Sequence, residues 1–351
     1  EPVFPPLKPV SPGQPRVLWI IFDELDYRLA FEQPPPAYQF PELARFERES
    51  FSATNVVAPA DRTVLSMPSL IAGRRVQMAA LTNSYNLILS IYQTGSVVNV
   101  ENTTFRDLPN AFSDAHARGV NTAVIGWYLP YSRLLSTNLN YCAWHAYPNF
   151  EPTRSPSYLE SLWNQVESLA GPLHIQHLFI KMYRQNMDKA LMLVTNADYG
   201  LTLLHFNPPH SPGFYLPAQD RYSLFPETGT KAYFNNIVLV DHTLGHLRQA
   251  MESAGEWDKT WVIVSADHSW RMSHTFDGKR DFRVPFIIKP PGPSSPMIDS
   301  QEFNSVVTKH VITAVFDREI TNTESLSGWL TAHAHPRPTS HGKFIEGKYS
   351  E

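Results

Sequence analysis

The sequence predicts an α/β fold, with a mostly parallel central sheet flanked by helices and a small C-terminal section. Three observations predict it. Val17-Leu18-Trp19-Ile20-Ile21-Phe22 and, far downstream, Trp261-Val262-Ile263-Val264-Ser265-Ala266 are short apolar runs rich in β-branched residues, the pattern of parallel strands buried on both faces. Both runs end in polar chemistry: the first delivers Asp23-Glu24-Leu25-Asp26, the second Asp267-His268. Between them, Ile237, Val240, Leu244, Leu247 and Met251 recur at three-four spacing, so Tyr233 to Met251 reads as an amphipathic helix.

In chain order, Pro2 to Pro15 is proline-rich and reads as an extended tether over residues 1–15. A catalytic domain follows over 16–292, and residues 293–351 form a small C-terminal section of the same domain. Pro41 to Phe51 is an amphipathic helix with Leu43 and Phe46 on its apolar side, and Val64 to Ile71 is a second helix. Asn121 to Ile125, Leu201 to Leu204 and Val284 to Lys289 are strands. Pro290 to Pro296 is a turn-rich linker, and Val306 to Phe316 and Leu326 to Leu330 are helices. Val76 to Val98 mixes polar and apolar residues and is assigned to no element. The aromatics between Tyr128 and Ala197, among them Tyr141, Trp144, Tyr147, Trp163 and Tyr183, read as core more than as binding surface. The histidines from His333 to His341 read as a solvated tail.

Composition narrows the function. The chain has 351 residues, a net charge of −4 and 42% hydrophobic residues, which gives ample core and no electrostatic case for nucleic acid as a partner. A single cysteine, Cys142, excludes an intramolecular disulfide and a cysteine-rich metal site. The apolar runs fall well short of the roughly twenty residues that a membrane-spanning helix needs. No glycine-rich phosphate loop appears, which argues against a nucleoside triphosphatase.

The chemistry is organised around Asp61-Arg62-Thr63-Val64-Leu65-Ser66-Met67-Pro68-Ser69-Leu70-Ile71-Ala72-Gly73-Arg74. A hydroxyl ahead of an apolar helix is most often only a cap, but a helix N-terminus also favours a phosphate or sulfate. Carboxylates and an imidazole at strand ends, together with that hydroxyl, make a divalent-metal site of Asp23, Thr63, Asp267 and His268. Its oxygen and nitrogen donors suit zinc or manganese.

These ordered segments resemble the alkaline phosphatase/sulfatase superfamily, which places an acid after its first strand, a nucleophile at a helix start and an Asp-His pair after a late strand. In sulfatases a modified Cys or Ser heads C/S-x-P-S-R, eleven residues before the Arg of a closing Thr-Gly-Arg. Eleven residues back from Arg74 is Thr63, whereas Ser66-Met67-Pro68-Ser69 imitates that signature out of register and with Leu70 for its Arg. Thr63-x-x-Ser66-x-Pro68 is instead similar to bacterial phosphoethanolamine transferases, and lipoteichoic acid synthases also use a threonine. A threonine cannot become formylglycine, so ordinary sulfatase chemistry is disfavoured.

The resemblance implies further site residues. His205-Phe206-Asn207-Pro208-Pro209-His210 looks like the transferase segment whose second His faces the phosphate or a second metal, which makes His210 catalytic and His205 substrate-binding. His274 and Arg283 are the other expected substrate-binding residues; Arg283 stands where two-metal transferases have a His, so one divalent metal is expected and a second is left open. Glu24 is a lower-ranked second acid.

The resemblance implies an extracytoplasmic phosphotransferase that forms a phosphothreonine at Thr63. Its donor is a phospholipid carrying a phosphoethanolamine or phosphoglycerol head group, and its acceptor a glycan or lipid. The membrane would be reached through a segment absent from this chain, in a periplasmic or cell-surface ectodomain; a complete soluble hydrolase after signal-peptide removal is the alternative expectation. Two other functions stay open: a sulfatase-like phosphodiesterase or sulfate-ester hydrolase, and a non-catalytic binding module.

Overall fold

A computed structural model describes residues 3–83, 86–93, 99–147 and 171–334. Eight strands form its central sheet: β1 (Arg16–Asp23), β2 (Phe51–Val57), β6 (Thr122–Trp127), β7 (Tyr141–His145), β8 (Leu201–Pro209), β11 (Thr260–Ser265), β12 (Phe286–Lys289) and β13 (Met297–Asn304). They lie in the order β13-β2-β12-β11-β1-β8-β6-β7. All neighbours are parallel except β12, which is antiparallel to β11 and to β2. Every residue of β1, β8 and β11 is buried, as the two apolar runs require.

Register places the functional ends together. Ile21 pairs with Ser265 on one side and with His205 on the other. Asp23 and Asp267 therefore lie one strand-period beyond that row, at the carboxyl end of the sheet where open α/β folds bind ligands.

Helices cover both faces. Thr63–Ala72 and Gly229–Ser253 are helices as the sequence predicts, the latter burying Ile237, Val240, Leu244, Leu247 and Met251, whereas the helix expected over Pro41 to Phe51 ends at Glu47, and Phe51 already opens β2. The Thr63–Ala72 helix stops at Gly73, whose φ of 67° is left-handed and whose missing Cβ leaves room for His310. Pro172–Val194 is a helix within the stretch of scattered aromatics, with Phe179, Tyr183, Ala190 and Val194 buried on one side. Its buried Gln176 donates to Gly213 O and Ser223 O, and so ties the helix to the hairpin of β9 (Gly213–Leu216) and β10 (Arg221–Glu227). Arg16, at the start of β1, donates to Val194 O at 2.8 Å and pairs with Glu256, satisfying carbonyls at the helix C-terminus.

Val76 to Val98 falls largely in an antiparallel sheet of β3 (Val76–Asn83), β4 (Asn86–Tyr92) and β5 (Val100–Thr104). The proline-rich start is laid against the sheet edge: Lys8 N donates to Asn121 Oδ1 at 2.8 Å, and Asn140 Nδ2 donates to Pro6 O at 2.9 Å. The C-terminal section joins the main body through β13, with helices Thr308–Phe316 and Thr323–His333. Trp163 and the tail histidines His335 and His341 lie outside the described residues. Among the described residues, no helix is long and apolar enough to cross a membrane.

Asp241 links two helices: its buried Oδ1 accepts the Leu43 N–H at 2.8 Å. Burial pushes its pKa up to about 7. A carboxyl that holds its proton more tightly folded than unfolded contributes stability below about pH 4, and that contribution is lost as pH rises through about 7. Asp241→Asn keeps the Oδ1 acceptor and removes the charge. Its melting temperature relative to wild type is expected to improve by several degrees between about pH 5 and about pH 8, measured by thermal scans. A difference that stays flat with pH would contradict this.

Candidate metal centre

Five side chains converge at the carboxyl end of the sheet. Asp23 ends β1, Asp267 and His268 follow β11, His205 lies within β8, and Thr63 opens its helix; all are buried. The Thr63 hydroxyl donates to Asp23 Oδ2 at 3.2 Å. His268 Nε2 lies 3.7 Å from Asp23 Oδ1 and 3.5 Å from Asp267 Oδ2, and His205 Nε2 lies 3.9 Å from Asp23 Oδ2. One ligand atom each from Asp23, His205 and Asp267 fits within 4.8 Å of the others.

The neighbours of Thr63 show why it is the available hydroxyl of its helix. Ser66 Oγ donates to the Asp267 carbonyl, and Ser69 Oγ donates to Leu65 O and accepts from Val76 N. Both serines are committed to backbone, while Thr63, in the first helical position after extended Arg62, faces the two aspartates. The sulfatase-like Ser-x-Pro-Ser run is structural here.

The electrostatics call for a cation. Burial, then the charges of Asp267 and Glu24, hold the Asp23 pKa well above the carboxylate range. Burial also pushes Asp267 upward, but His268, His205 and hydrogen bonds outweigh it and keep that pKa low. Asp23 Oδ1, Asp267 Oδ2 and His205 Nε2 are buried without a hydrogen-bond partner. Leaving such atoms unsatisfied costs about 1–3 kcal/mol each, and more when charged. Two carboxylates, two imidazoles and a hydroxyl fit a zinc or manganese ion.

Each histidine is also held in the right tautomer. His268 Nδ1 faces Ser269 O, and His210 Nδ1 faces Ser211 O; a carbonyl only accepts, so both Nδ1 atoms carry hydrogen and both Nε2 atoms present lone pairs. His205 Nδ1 meets the Tyr131 hydroxyl at 2.8 Å, and the Trp127 backbone also favours the protonated ring. Burial lowers the His205 pKa to about 4, so its Nε2 is a neutral donor to metal. Gly126 makes this possible, because a Cβ there would run into the Tyr131 ring. Outer-shell partners of metal-binding histidines typically matter 10–100-fold in affinity. Tyr131→Phe leaves the Trp127 backbone in place, so we expect about tenfold weaker zinc binding with little change in fold, measured by chelator competition.

His205, expected on the substrate, is thus turned toward the aspartates and joins the ligand set. Arg283 is not at the site: its guanidinium pairs with Asp281 and Glu32, lies over the Tyr27 ring and donates to Thr54 O. It fastens the approach to β12 onto β2. His274 is exposed at the start of a short helix, His274–Asp277, and no hydrogen bond or ion pair joins it to the five converging side chains.

His210 does reach the site. Its backbone N–H donates to Asp23 O, and its ring packs edge-on to Trp127. It borders a cavity of about 570 Å³ that also includes Glu24, Tyr233, Trp270 and Arg271. Burial lowers the His210 pKa, which favours the neutral ring. Arg271 was missed by sequence reasoning, although it stands only four residues after Asp267.

Comparison with known proteins agrees with this geometry. A family model described as Sulfatase matches residues 15–316. No curated protein matches the chain. Solved structures of similar fold include i-CgsB bound to a neocarrahexaose, at 14% identity and TM-score 0.60 over 95% of this chain and 76% of that one. The phosphonate monoester hydrolase of Agrobacterium radiobacter aligns at 13% identity and TM-score 0.54, covering 87% and 74%. Murine ectonucleotide pyrophosphatase/phosphodiesterase 5, solved as an inactive threonine-to-alanine variant with AMP, aligns at 10% identity and TM-score 0.52, covering 87% and 95%. At these identities the likeness is one of fold.

Proposed function

This chain belongs to the Sulfatase family, and we propose that within it the protein is a metal-dependent phosphotransferase working through a phosphothreonine at Thr63. The observation that carries this reading is the Thr63 hydroxyl, 3.2 Å from Asp23 Oδ2 at a helix start, beside orphaned carboxylate and imidazole atoms. Threonine excludes formylglycine chemistry. The phosphodiesterase solved as an inactive threonine variant gives the reading a parallel in fold.

Asp23, Asp267, His205, His268 and Thr63 would hold the divalent metal, which when bound neutralises phosphoryl charge and lowers the pKa of the threonine hydroxyl. Thr63 Oγ1 attacks phosphorus in line; the O–P bond forms as the bond to the lipid glycerol oxygen breaks. The proton leaving Oγ1 has Asp23 Oδ2 as its nearest acceptor. Diacylglycerol departs, protonated from solvent, and the head-group phosphate stays on Thr63. In the second half, His210 Nε2 takes the proton of an acceptor alcohol as its oxygen bonds to phosphorus and the bond to Thr63 Oγ1 breaks; Oγ1 takes back the proton held at Asp23, and His210 returns its proton to solvent. The donor head group is phosphoethanolamine or phosphoglycerol, and the acceptor an extracytoplasmic glycan or lipid, with the membrane reached through a segment outside this chain.

The second reading is hydrolysis, because the basic His210 Nε2 can equally activate water. Incubation with phosphatidylethanolamine or phosphatidylglycerol vesicles separates the two. A transferase releases about one diacylglycerol per enzyme and stalls until an acceptor glycan is added. Continuous release without acceptor would replace transfer with hydrolysis.

A further inference from the structure

We propose that Arg271, held in place by Glu24, grips a non-bridging oxygen of a singly charged phosphodiester in the cavity that Glu24 and His210 border, and that Glu24 is the strut for this arginine and no metal ligand. The inference rests on the proposed phosphoryl chemistry at Thr63 and names its substrate class.

Glu24 directly follows Asp23, yet its backbone takes a left-handed φ of 66°. Such a conformation is uncommon outside glycine, asparagine and aspartate, and persists where its surroundings enforce it. Here they do: Glu24 N donates to Asp267 Oδ1 at 3.2 Å, and Glu24 O accepts the Tyr233 hydroxyl at 2.7 Å. The Glu24 carboxylate meets Arg271 Nε at 2.8 Å, with Glu24 nearly buried and Arg271 43% exposed. A carboxylate already spent on a guanidinium is a poor ligand for a neighbouring ion.

Arg271 is different from the arginines around it. Arg28 pairs with Asp277, Arg283 pairs with Asp281 and Glu32, and Arg280 donates to Ser269 Oγ and the Asp281 carbonyl. Among the described residues, Arg271 uses only Nε, and its two terminal nitrogens make no hydrogen bond. It lines the cavity together with His210, and its charge is felt at both Asp23 and Asp267. A guanidinium edge with two free donors is suited to phosphoryl oxygens.

The charge balance selects the substrate. Glu24 cancels Arg271, so the pair offers directed donors without adding net positive charge. That suits a monoanionic diester better than a dianionic monoester. The stacked Tyr233 and Trp270 rings give the cavity an apolar wall for the alcohol part of the ester.

The test uses the full chain and follows the first-turnover release of 4-nitrophenolate from bis(4-nitrophenyl) phosphate as diester and 4-nitrophenyl phosphate as monoester, a step that needs no acceptor. Wild type is expected to favour the diester. Arg271→Met should lower kcat/KM for the diester about 10- to 100-fold, mainly through KM, and Arg271→Lys should not restore it. Glu24→Gln should narrow the preference for diester over monoester while zinc affinity stays within about twofold of wild type. Unchanged kinetics in Arg271→Met, or zinc affinity lost in Glu24→Gln, would overturn the inference while the Thr63 chemistry stands. Release of 4-nitrophenolate that survives Thr63→Ala undiminished would overturn the underlying reading as well.

Discussion

Thr63→Ala is expected to reduce turnover of a phosphodiester by at least about a thousandfold while the protein still binds metal. In the proposed reaction this hydroxyl is the attacking atom, and nothing nearby can replace it. Ser66 donates to the Asp267 carbonyl and Ser69 is bonded to Leu65 O and Val76 N. Loss of Thr63 removes one of the five side chains that would hold the metal and leaves two carboxylates and two imidazoles, so metal binding should persist. Thr63→Ser keeps a hydroxyl in place and should recover part of the rate. First-turnover kinetics beside metal titration checks this, and a Thr63→Ala enzyme within tenfold of wild type would exclude the threonine as nucleophile.

Asp267→Asn is expected to weaken zinc or manganese binding at least about a hundredfold and to remove activity with it. The substitution is close to isosteric, and its Oδ1 still accepts the N–H groups of Glu24 and His268 at 3.2 and 2.8 Å. Oδ2 is the atom that changes: buried without a hydrogen-bond partner in the native chain, it becomes an amide aimed at His268 Nε2, 3.5 Å away. The fold should therefore survive while the ligand set fails. The same variant should lose the thermal stabilisation that saturating metal gives wild type, about 2.7 kcal/mol at a hundredfold excess over Kd. Equal metal-induced shifts in the two proteins would place the ion elsewhere.

Much of the site was legible because its residues stand where strands end and a helix begins. Asp23 and Asp267-His268 follow apolar runs that can only be buried strands, and Thr63 precedes an apolar helix at the spacing of the resembled families. His205 was harder, since it lies inside β8 and its partner Ile21 is set by register, which strand composition does not encode. Arg283 drew attention as a cation before Val284-Pro285, but its role is decided by Glu32, far away in sequence. Arg271 sits between Trp270 and Met272 in a segment without periodicity, and its importance comes from the turn at Glu24.

The elements show the same division. Long amphipathic helices were readable, and Pro172–Val194 carries the three-four signal in Phe179, Tyr183, Ala190 and Val194, hidden among the aromatics around it. The sheet of β3, β4 and β5 gave no clean alternation because Met78, Ile88 and Val100 are exposed while Leu87, Leu89 and Ile91 are buried. Apolar residues on both faces erase the period-two pattern.

The central claim is that Thr63 carries the phosphoryl group. The most direct measurement is peptide mass spectrometry of the zinc- or manganese-loaded protein, quenched after incubation with phosphatidylethanolamine and phosphatidylglycerol vesicles without acceptor. A phosphothreonine mechanism predicts a mass gain on Thr63 matching phosphoethanolamine or phosphoglycerol, dependent on metal and absent from Thr63→Ala. An unmodified Thr63 in an enzyme that is releasing diacylglycerol, or an adduct on any other residue, would contradict it.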